Sequence, residues 1–232
     1  MKIFHNIYYI VKELIRSSII LNKCYLFFFK KNRIINSETI AVVGFPRVGN
    51  TFAGRVIKVG FGSRKFKIVN HYHSSAQAIS ASSLKIPTIL IIRKPVDTIL
   101  SLYISYPLNS YYISTHIIRF IIYHLRILFS NSKLLIINFD DFKDNPNFLL
   151  KKVNQEFQFN LDQNILNKEL KKNVLNSIKI DNKLNPNNKL KVSAPSKEKE
   201  ILKEKYRQSI NSNCLLIIAN YLHTKLLNKT NA

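Results

Sequence analysis

Between Thr39 and Phe52 the chain reads TIAVVGFPRVGNTF, an apolar run that passes through a glycine-bounded turn into a helix-forming segment. Continuous apolar character over a strand's length is what burial on both faces of a parallel sheet demands. The turn keeps a phosphate-loop frame: Gly44, four residues, Gly49, then a polar residue and Thr51. Asn50 stands where a nucleoside triphosphatase carries lysine, and the loop's cation is Arg47. Backbone N–H groups of such a turn, with the partial positive charge of the helix start, bind an anion whatever the rest of the ligand is. The missing lysine argues against ordinary ATP or GTP hydrolysis.

A chain of 232 residues holds one α/β domain with a substantial core and leaves little room for a second. Residues 1–37 read as a basic, apolar N-terminal segment and 38–232 as the domain. Lysine and arginine number 36 against 13 acidic residues, a formal charge of +23, which favours anionic partners. The abundance of Ile, Asn and Lys, residues of AT-rich codons, offers a second source for that charge, so it does not by itself define a binding surface. Cys24 and Cys214 are far apart and form no ligand cluster, which excludes a disulfide scaffold or zinc site and fits a reducing, cytoplasmic setting.

The first 36 residues carry seven Lys or Arg and one Glu among apolar blocks such as Ile7 to Val11 and Cys24 to Phe29. No uncharged run approaches the ~20 residues needed to span a bilayer, and the interrupting charges argue against a secretory signal. Two readings remain: a helix packing its apolar face on the domain, which is preferred, or a basic amphipathic segment on the inner face of an acidic membrane.

Further along, Thr51 to about Val59 reads as a helix ended by Gly60 and Gly62, and Phe66 to Asn70 as a second strand. His71, Tyr72 and His73 follow it, at the end of the strand where open parallel sheets place ligand chemistry. PTILII (Pro87 to Ile92) and KLLIINF (Lys133 to Phe139) are two more strands. Helical patterns occupy Asp97 to Tyr103, Ile113 to Phe129, Pro146 to Phe157, a charged stretch from near Pro195, and Leu215 to Leu227. Asn182 to Lys191 reads as an exposed loop. Alternating strands and helices with four strand candidates predict an α/β fold: a three-layer parallel sheet with flanking helices, of the P-loop nucleotide-binding type.

Arg93 directly follows the PTILII strand and Ser101 lies eight residues on, in the next helix. A forked guanidinium with a nearby hydroxyl suits a second anion. At this point residues 38 to 160 resemble the sulfotransferases that use 3′-phosphoadenosine 5′-phosphosulfate (PAPS), closest to bacterial sulfotransferase-domain proteins. The family's Pro-Lys-Ser-Gly-Thr-Thr-Trp loop, which holds the 5′-phosphosulfate, is matched by Pro46, Arg47, Val48, Gly49, Asn50, Thr51 and Phe52. Its Arg-x-Pro-x-Asp followed by Ser, which binds the 3′-phosphate, is matched by Arg93, Pro95, Asp97 and Ser101. Its Tyr-Glu-Asp-Leu segment is similar to Phe139, Asp140, Asp141 and Phe142. Departures are Arg47 for the usual lysine, Val48 for a hydroxyl residue, and no visible C-terminal Arg-Lys-Gly, for which KVSAPSK (Lys191 to Lys197) is a substitute.

The resemblance implies a sulfotransferase moving a sulfuryl group from PAPS to a hydroxyl or amine acceptor, with adenosine 3′,5′-bisphosphate (PAP) as product and no metal. A carbohydrate or lipid-linked glycan is the favoured acceptor, selected by loops around 74 to 86, 104 to 114 and 180 to 197. It implies His73 as the base that takes the acceptor's proton, with His71 the alternative; an imidazole of ordinary pKa near ~6.5 can do this at neutral pH. Arg47 would stabilise charge on the leaving oxygen, while Arg93 and Ser101 select PAPS over ATP. Asp97 and Asp140 would brace the loops. Two alternatives stand beside this reading: a divergent P-loop kinase-like transferase, and a non-catalytic basic protein that binds nucleotide or nucleic acid. The absence of a finger, an RRM-like aromatic signature or a helix-turn-helix speaks against specific nucleic-acid recognition.

Overall fold

A computed structural model describes residues 2–21, 24, 39–61, 67–105, 112–159, 170–183 and 197–229. Four strands, β1 (Thr39–Val43), β2 (Lys67–Tyr72), β3 (Thr88–Ile92) and β4 (Leu135–Asn138), form one sheet in the order β2-β1-β3-β4. Every pair is parallel, and β3 meets β4 in register from Ile89 opposite Leu135 to Ile92 opposite Asn138. Ile89 to Ile92 and Ile40 to Val43 are wholly buried, which is why these strands show no polar alternation.

Ten helices surround the sheet among the described residues: α1 (Lys2–Ser17), α2 (Asn50–Phe61), α3 (Ser75–Ser83), α4 (Pro95–Ser105), α5 (Tyr112–Leu128), the single turn α6 (Phe139–Phe142), α7 (Pro146–Phe157), α8 (Leu170–Lys183), α9 (Lys197–Asn211) and α10 (Leu215–Asn228). The chain is mostly helical around a small parallel sheet. One packing group joins α2 to β1, β2, α7 and α8; the other joins α3 to β1 and β3 and gathers α1, α4 and α10 around α5. Right-handed crossovers in a sheet of this strand order send the connection after β1 to one face and those before β3 and β4 to the other.

Gly60 does not end α2. It lies inside the helix, where an added Cβ would come within 2.5 Å of Leu150 Cδ2 on α7, so the glycine is there for close helix packing. Gly62 lies outside the described residues. The segment 74–86, expected as an acceptor loop, is largely α3: Ser74 caps it by accepting from the Gln77 N–H (3.4 Å), and Ser75 to Ile79 are buried. Of the other two expected acceptor loops, 106–111 and 184–196 lie outside the described residues, as does all of KVSAPSK but Lys197, which opens α9.

The larger departure is α1, which does not pack an apolar face on the domain. Among its described side chains Glu13 and Ser17 are buried and Tyr9 and Ile10 half-buried, while Phe4, Ile7, Val11, Leu14 and Ile15 are exposed. Hydrogen bonds hold it this way round: Ser74 Oγ donates to the Arg16 carbonyl (2.5 Å), Ser75 Oγ to Ser17 Oγ (3.1 Å), and Arg119 Nη2 pairs with Glu13 Oε2 at 3.3 Å.

Candidate functional site

The chain leaves β1 for β2 on one side and later enters β3 on the other, so the order reverses between β1 and β3. Open α/β sheets bind ligands in the crevice this leaves at the carboxyl ends of the two strands. The segments that follow β1 and β3 are those that carry Arg47 and Arg93.

After β1 the backbone turns through Gly44 to Gly49, and α2 starts at Asn50. Phe45, fully buried, anchors the turn on α5 through edge contacts with Phe120 (5.3 Å) and Tyr123 (5.7 Å). Arg47 adopts φ 72° and Gly49 φ 110°, and between them the Val48 N–H donates back to the Phe45 carbonyl at 3.4 Å, which closes the turn. An arginine at positive φ is strained by about 1–2 kcal/mol, and among the described residues Lys85 and Gln158, at helix ends, share this conformation. Gly49 is obligatory on two counts: its φ, and an added Cβ that would fall within 2.5 Å of Phe139 Cε2. Val48 is buried in the core, whereas Pro46, Thr51 and Phe52 are half-buried at the rim of the turn.

The two arginine segments meet. Arg47 Nε donates to Ser101 Oγ on α4 at 3.4 Å, and Arg93 Nη1 donates to the Arg47 carbonyl at 3.5 Å. The Arg93 guanidinium also lies 4.9 Å from the centre of the Phe139 ring, the first residue after β4, and its buried Nε has no hydrogen-bond partner. A buried guanidinium N–H without an acceptor is costly, and an anion at this point would satisfy it. Arg47 therefore lies beside Ser101, the residue expected to hold a different phosphate, so the two anticipated anion sites are one continuous cationic corner. Asp97, in the first turn of α4, pairs with Arg207 of α9 at 3.6 Å, and Asp140 with Lys143 at 2.7 Å. The first pair links α4 to α9, and the second closes within the Phe139–Phe142 turn and its C-cap.

His73 follows β2 and is half-buried. Its Nδ1 lies 3.0 Å from the Gly44 carbonyl, and Asn50 Nδ2 donates to the same oxygen at 2.9 Å while lying 3.3 Å from His73 Nδ1. A carbonyl only accepts, so this contact is satisfied with the proton on Nδ1, whereas a hydrogen bond from Asn50 Nδ2 to Nδ1 needs the proton on Nε2. Asn50 thus ties the histidine to Gly44 of the turn after β1, a role its place after Gly49 did not reveal. The backbone of His71 is in β2; its side chain lies outside the described ones.

Sequence reasoning also missed a polar cluster under α1. Buried Arg119 pairs with Glu13 and stacks over Tyr9 (5.4 Å), and its Nη1 lies 3.5 Å from His116 Nδ1. Burial, aided by Arg119, pushes the His116 pKa down to about 3, and burial holds the Glu13 carboxyl above its ordinary range. His124, stacked on Phe120 with Nδ1 2.7 Å from the Phe120 carbonyl, is likewise pushed down to about 3 by burial. These groups lie on the α5 face, and their only sequence trace is a set of histidines and arginines at helical spacing. Among the described residues no group of three or more His, Cys, Asp or Glu could hold a metal.

No protein-family model matches this chain, and neither a curated protein nor a solved structure matches it significantly.

Proposed function

We propose that this chain is a P-loop-type sulfotransferase, moving a sulfuryl group from PAPS to a hydroxyl or amine acceptor. The observation that carries the reading is the convergence at the switch point: Arg47 reaching Ser101 across 54 positions of sequence and Arg93 reaching the Arg47 carbonyl across 46. Those are the residues on which the resemblance to PAPS-dependent enzymes rests, and nothing in helix packing alone brings them together. The turn and helix start of Arg47 to Thr51 suit the donor's 5′ group, and the Arg93 Nε–H with Ser101 suits its 3′-phosphate. Three roles follow for the chain's own residues.

The loop N–H groups and the start of α2 hold an anion without needing to reorganise. Arg47, on a turn shared with both arms of the corner, supplies positive charge where the bridging oxygen gains negative charge as the S–O bond breaks. Its Nε hydrogen bond to Ser101 turns the guanidinium toward α4. His73 takes the acceptor's proton on Nε2, while its Nδ1–H remains on the Gly44 carbonyl, fixing the ring relative to the phosphate loop. A glycan hydroxyl is the acceptor class the resemblance favours.

Calorimetric titration of the full chain with PAP and with ATP, without added Mg²⁺, tests this. PAP binding at least tenfold tighter than ATP supports the donor site. Equal binding of both points to the kinase-like alternative, and binding of neither, with salt-sensitive DNA binding, to the basic binding protein.

A further inference from the structure

We infer that α1 is an interfacial helix that lays its outward face on an acidic lipid bilayer. The inference rests on that helix alone and is independent of the sulfotransferase reading.

A surface helix of a globular protein turns its apolar stripe to the core. Here the polarity is inverted. The inward face carries Glu13 and Ser17, both buried, locked to Arg119 and Ser75. Outward stand Phe4 (78% exposed), Ile7 (51%), Val11 and Leu14 (52%), spaced three or four residues apart so that they form one stripe, continued past the helix end by Ile20 (74%). The inward hydrogen bonds fix the rotation of α1, so it cannot roll to hide these side chains without stranding the buried Glu13 carboxylate. A contiguous stripe of this size on a water-facing helix marks an interaction surface.

The charge selects the occupant. Lys12, whose ammonium lies 5.5 Å over the exposed Tyr8 ring, borders the outward face half-buried, the placement from which a long side chain reaches to a headgroup layer while its stem stays on apolar surface; Arg16 lies nearer the buried Glu13. The one acid of α1 is turned inward, and residues 22–37 add Lys23, Lys30, Lys31 and Arg33 with no acid. A second copy of a chain with formal charge +23 would bring like charges face to face, whereas an anionic bilayer supplies both the apolar depth and the opposite sign. No helix among the described residues is long and apolar enough to cross a membrane, so the contact is one of lying on the surface.

The chain contains no tryptophan, so a single one reports without background. Phe4→Trp and, separately, Val11→Trp place it on the stripe; Ile201→Trp, at a position 71% exposed on α9, is the control. Circular dichroism confirms that each variant folds. Vesicles of neutral phosphatidylcholine are compared with vesicles one-third phosphatidylglycerol. The expected result is a blue shift of the stripe tryptophans, quenched by brominated lipid tails, with the control unmoved. Affinity should rise roughly fivefold for each Lys or Arg that reaches the anionic surface, and fall with added salt. Leu14→Asp in the Phe4→Trp background should reduce the shift. No shift on anionic vesicles, or equal affinity for neutral ones, overturns the inference. Emission already blue without vesicles and growing with protein concentration would show self-association and overturn it too.

Discussion

Replacing Gly49 by alanine tests the geometry that joins the Gly44–Gly49 turn to the arginine corner. Two separable penalties are expected. The first is backbone: a residue with a Cβ held at φ 110° costs about 1–3 kcal/mol. The second is steric, since the Cβ would fall within 2.5 Å of Phe139 Cε2, and the ring must leave its edge contacts with Phe142 (5.4 Å) and Phe52 (6.1 Å) as well as its place under Arg93. Displacing an aromatic from such a cluster costs about 0.5–1.5 kcal/mol beyond area effects. Against these stands a gain of about 0.4–1 kcal/mol from the stiffer unfolded chain. The net loss should be about 2–3 kcal/mol, a shift of the urea midpoint of roughly 1 M at a slope of ~2–3 kcal/mol per M. Urea titration of Gly49→Ala, Phe139→Ala and the double variant measures it. In the Phe139→Ala background only the backbone penalty remains, so the cycle should return a coupling of about 1 kcal/mol. Additive losses would refute the account, because the ring would then not be what excludes a side chain at Gly49.

Arg93→Ala should raise the PAP dissociation constant roughly 10- to 100-fold, the loss of a charge-assisted contact of about 1.5–3 kcal/mol, measured by titration calorimetry. His73→Ala should retain PAP binding and lose transfer to any accepted hydroxyl; full activity in the variant would remove His73 as the base. Nitrogen-15 shifts of the resting protein above pH 7.5 should show His73 protonated on Nδ1 and bare on Nε2. His124, with its pKa pushed down to about 3 by burial, stays neutral in the folded chain while the unfolded chain takes up a proton near pH ~6.5. Its contribution is therefore full above that pH and lost as pH falls, by about 1.4 kcal/mol per unit, so the stability of His124→Gln should fall less steeply than wild type between pH 6 and 4.5. Identical slopes in urea titrations across that range would contradict the assignment.

The legible parts of this fold were those where one physical requirement fills a contiguous stretch. β1, β3 and β4 are runs of buried aliphatics with no competing pattern, and Pro146 marks the first turn of α7 as only proline does. Single residues with two possible causes were misread. Gly60 reads as a helix stop because glycine favours C-termini, but tight packing against Leu150 asks for the same residue. In α3 the run Ser-Ala-Gln-Ala lacks a strong apolar period, and its helicity comes from burial on both sides and from the Ser74 cap rather than from an amphipathic face.

For the site, the sequence supplied the parts but not their joints. Gly44, Arg47 and Gly49 mark a glycine-bounded turn by spacing, and Arg93 with Ser101 follows a strand, yet each is a local signal that a structural turn or surface charge could equally produce. What raises them together is a strand order that places the ends of β1 and β3 side by side, and strand order is set by long-range pairing that no local pattern encodes. The same holds for Asn50 and Phe139. Asn50 reads as the wrong residue in a nucleotide loop until His73 is seen 3.3 Å away, and Phe139 reads as the end of a strand until it is found between Gly49 and Arg93. The inversion of α1 is the extreme case. Its amphipathic period is plain in the sequence, but which face turns inward was decided by Arg119, more than a hundred residues away, pairing with the helix's one acid. Substituting that partner is thus the perturbation to which α1 should be most sensitive: Arg119→Met should leave Glu13 buried without its cation and loosen α1 from α5, seen as faster amide exchange in both helices, while the sheet keeps its protection. Unchanged exchange in α1 would mean that its orientation is held by the serine contacts alone.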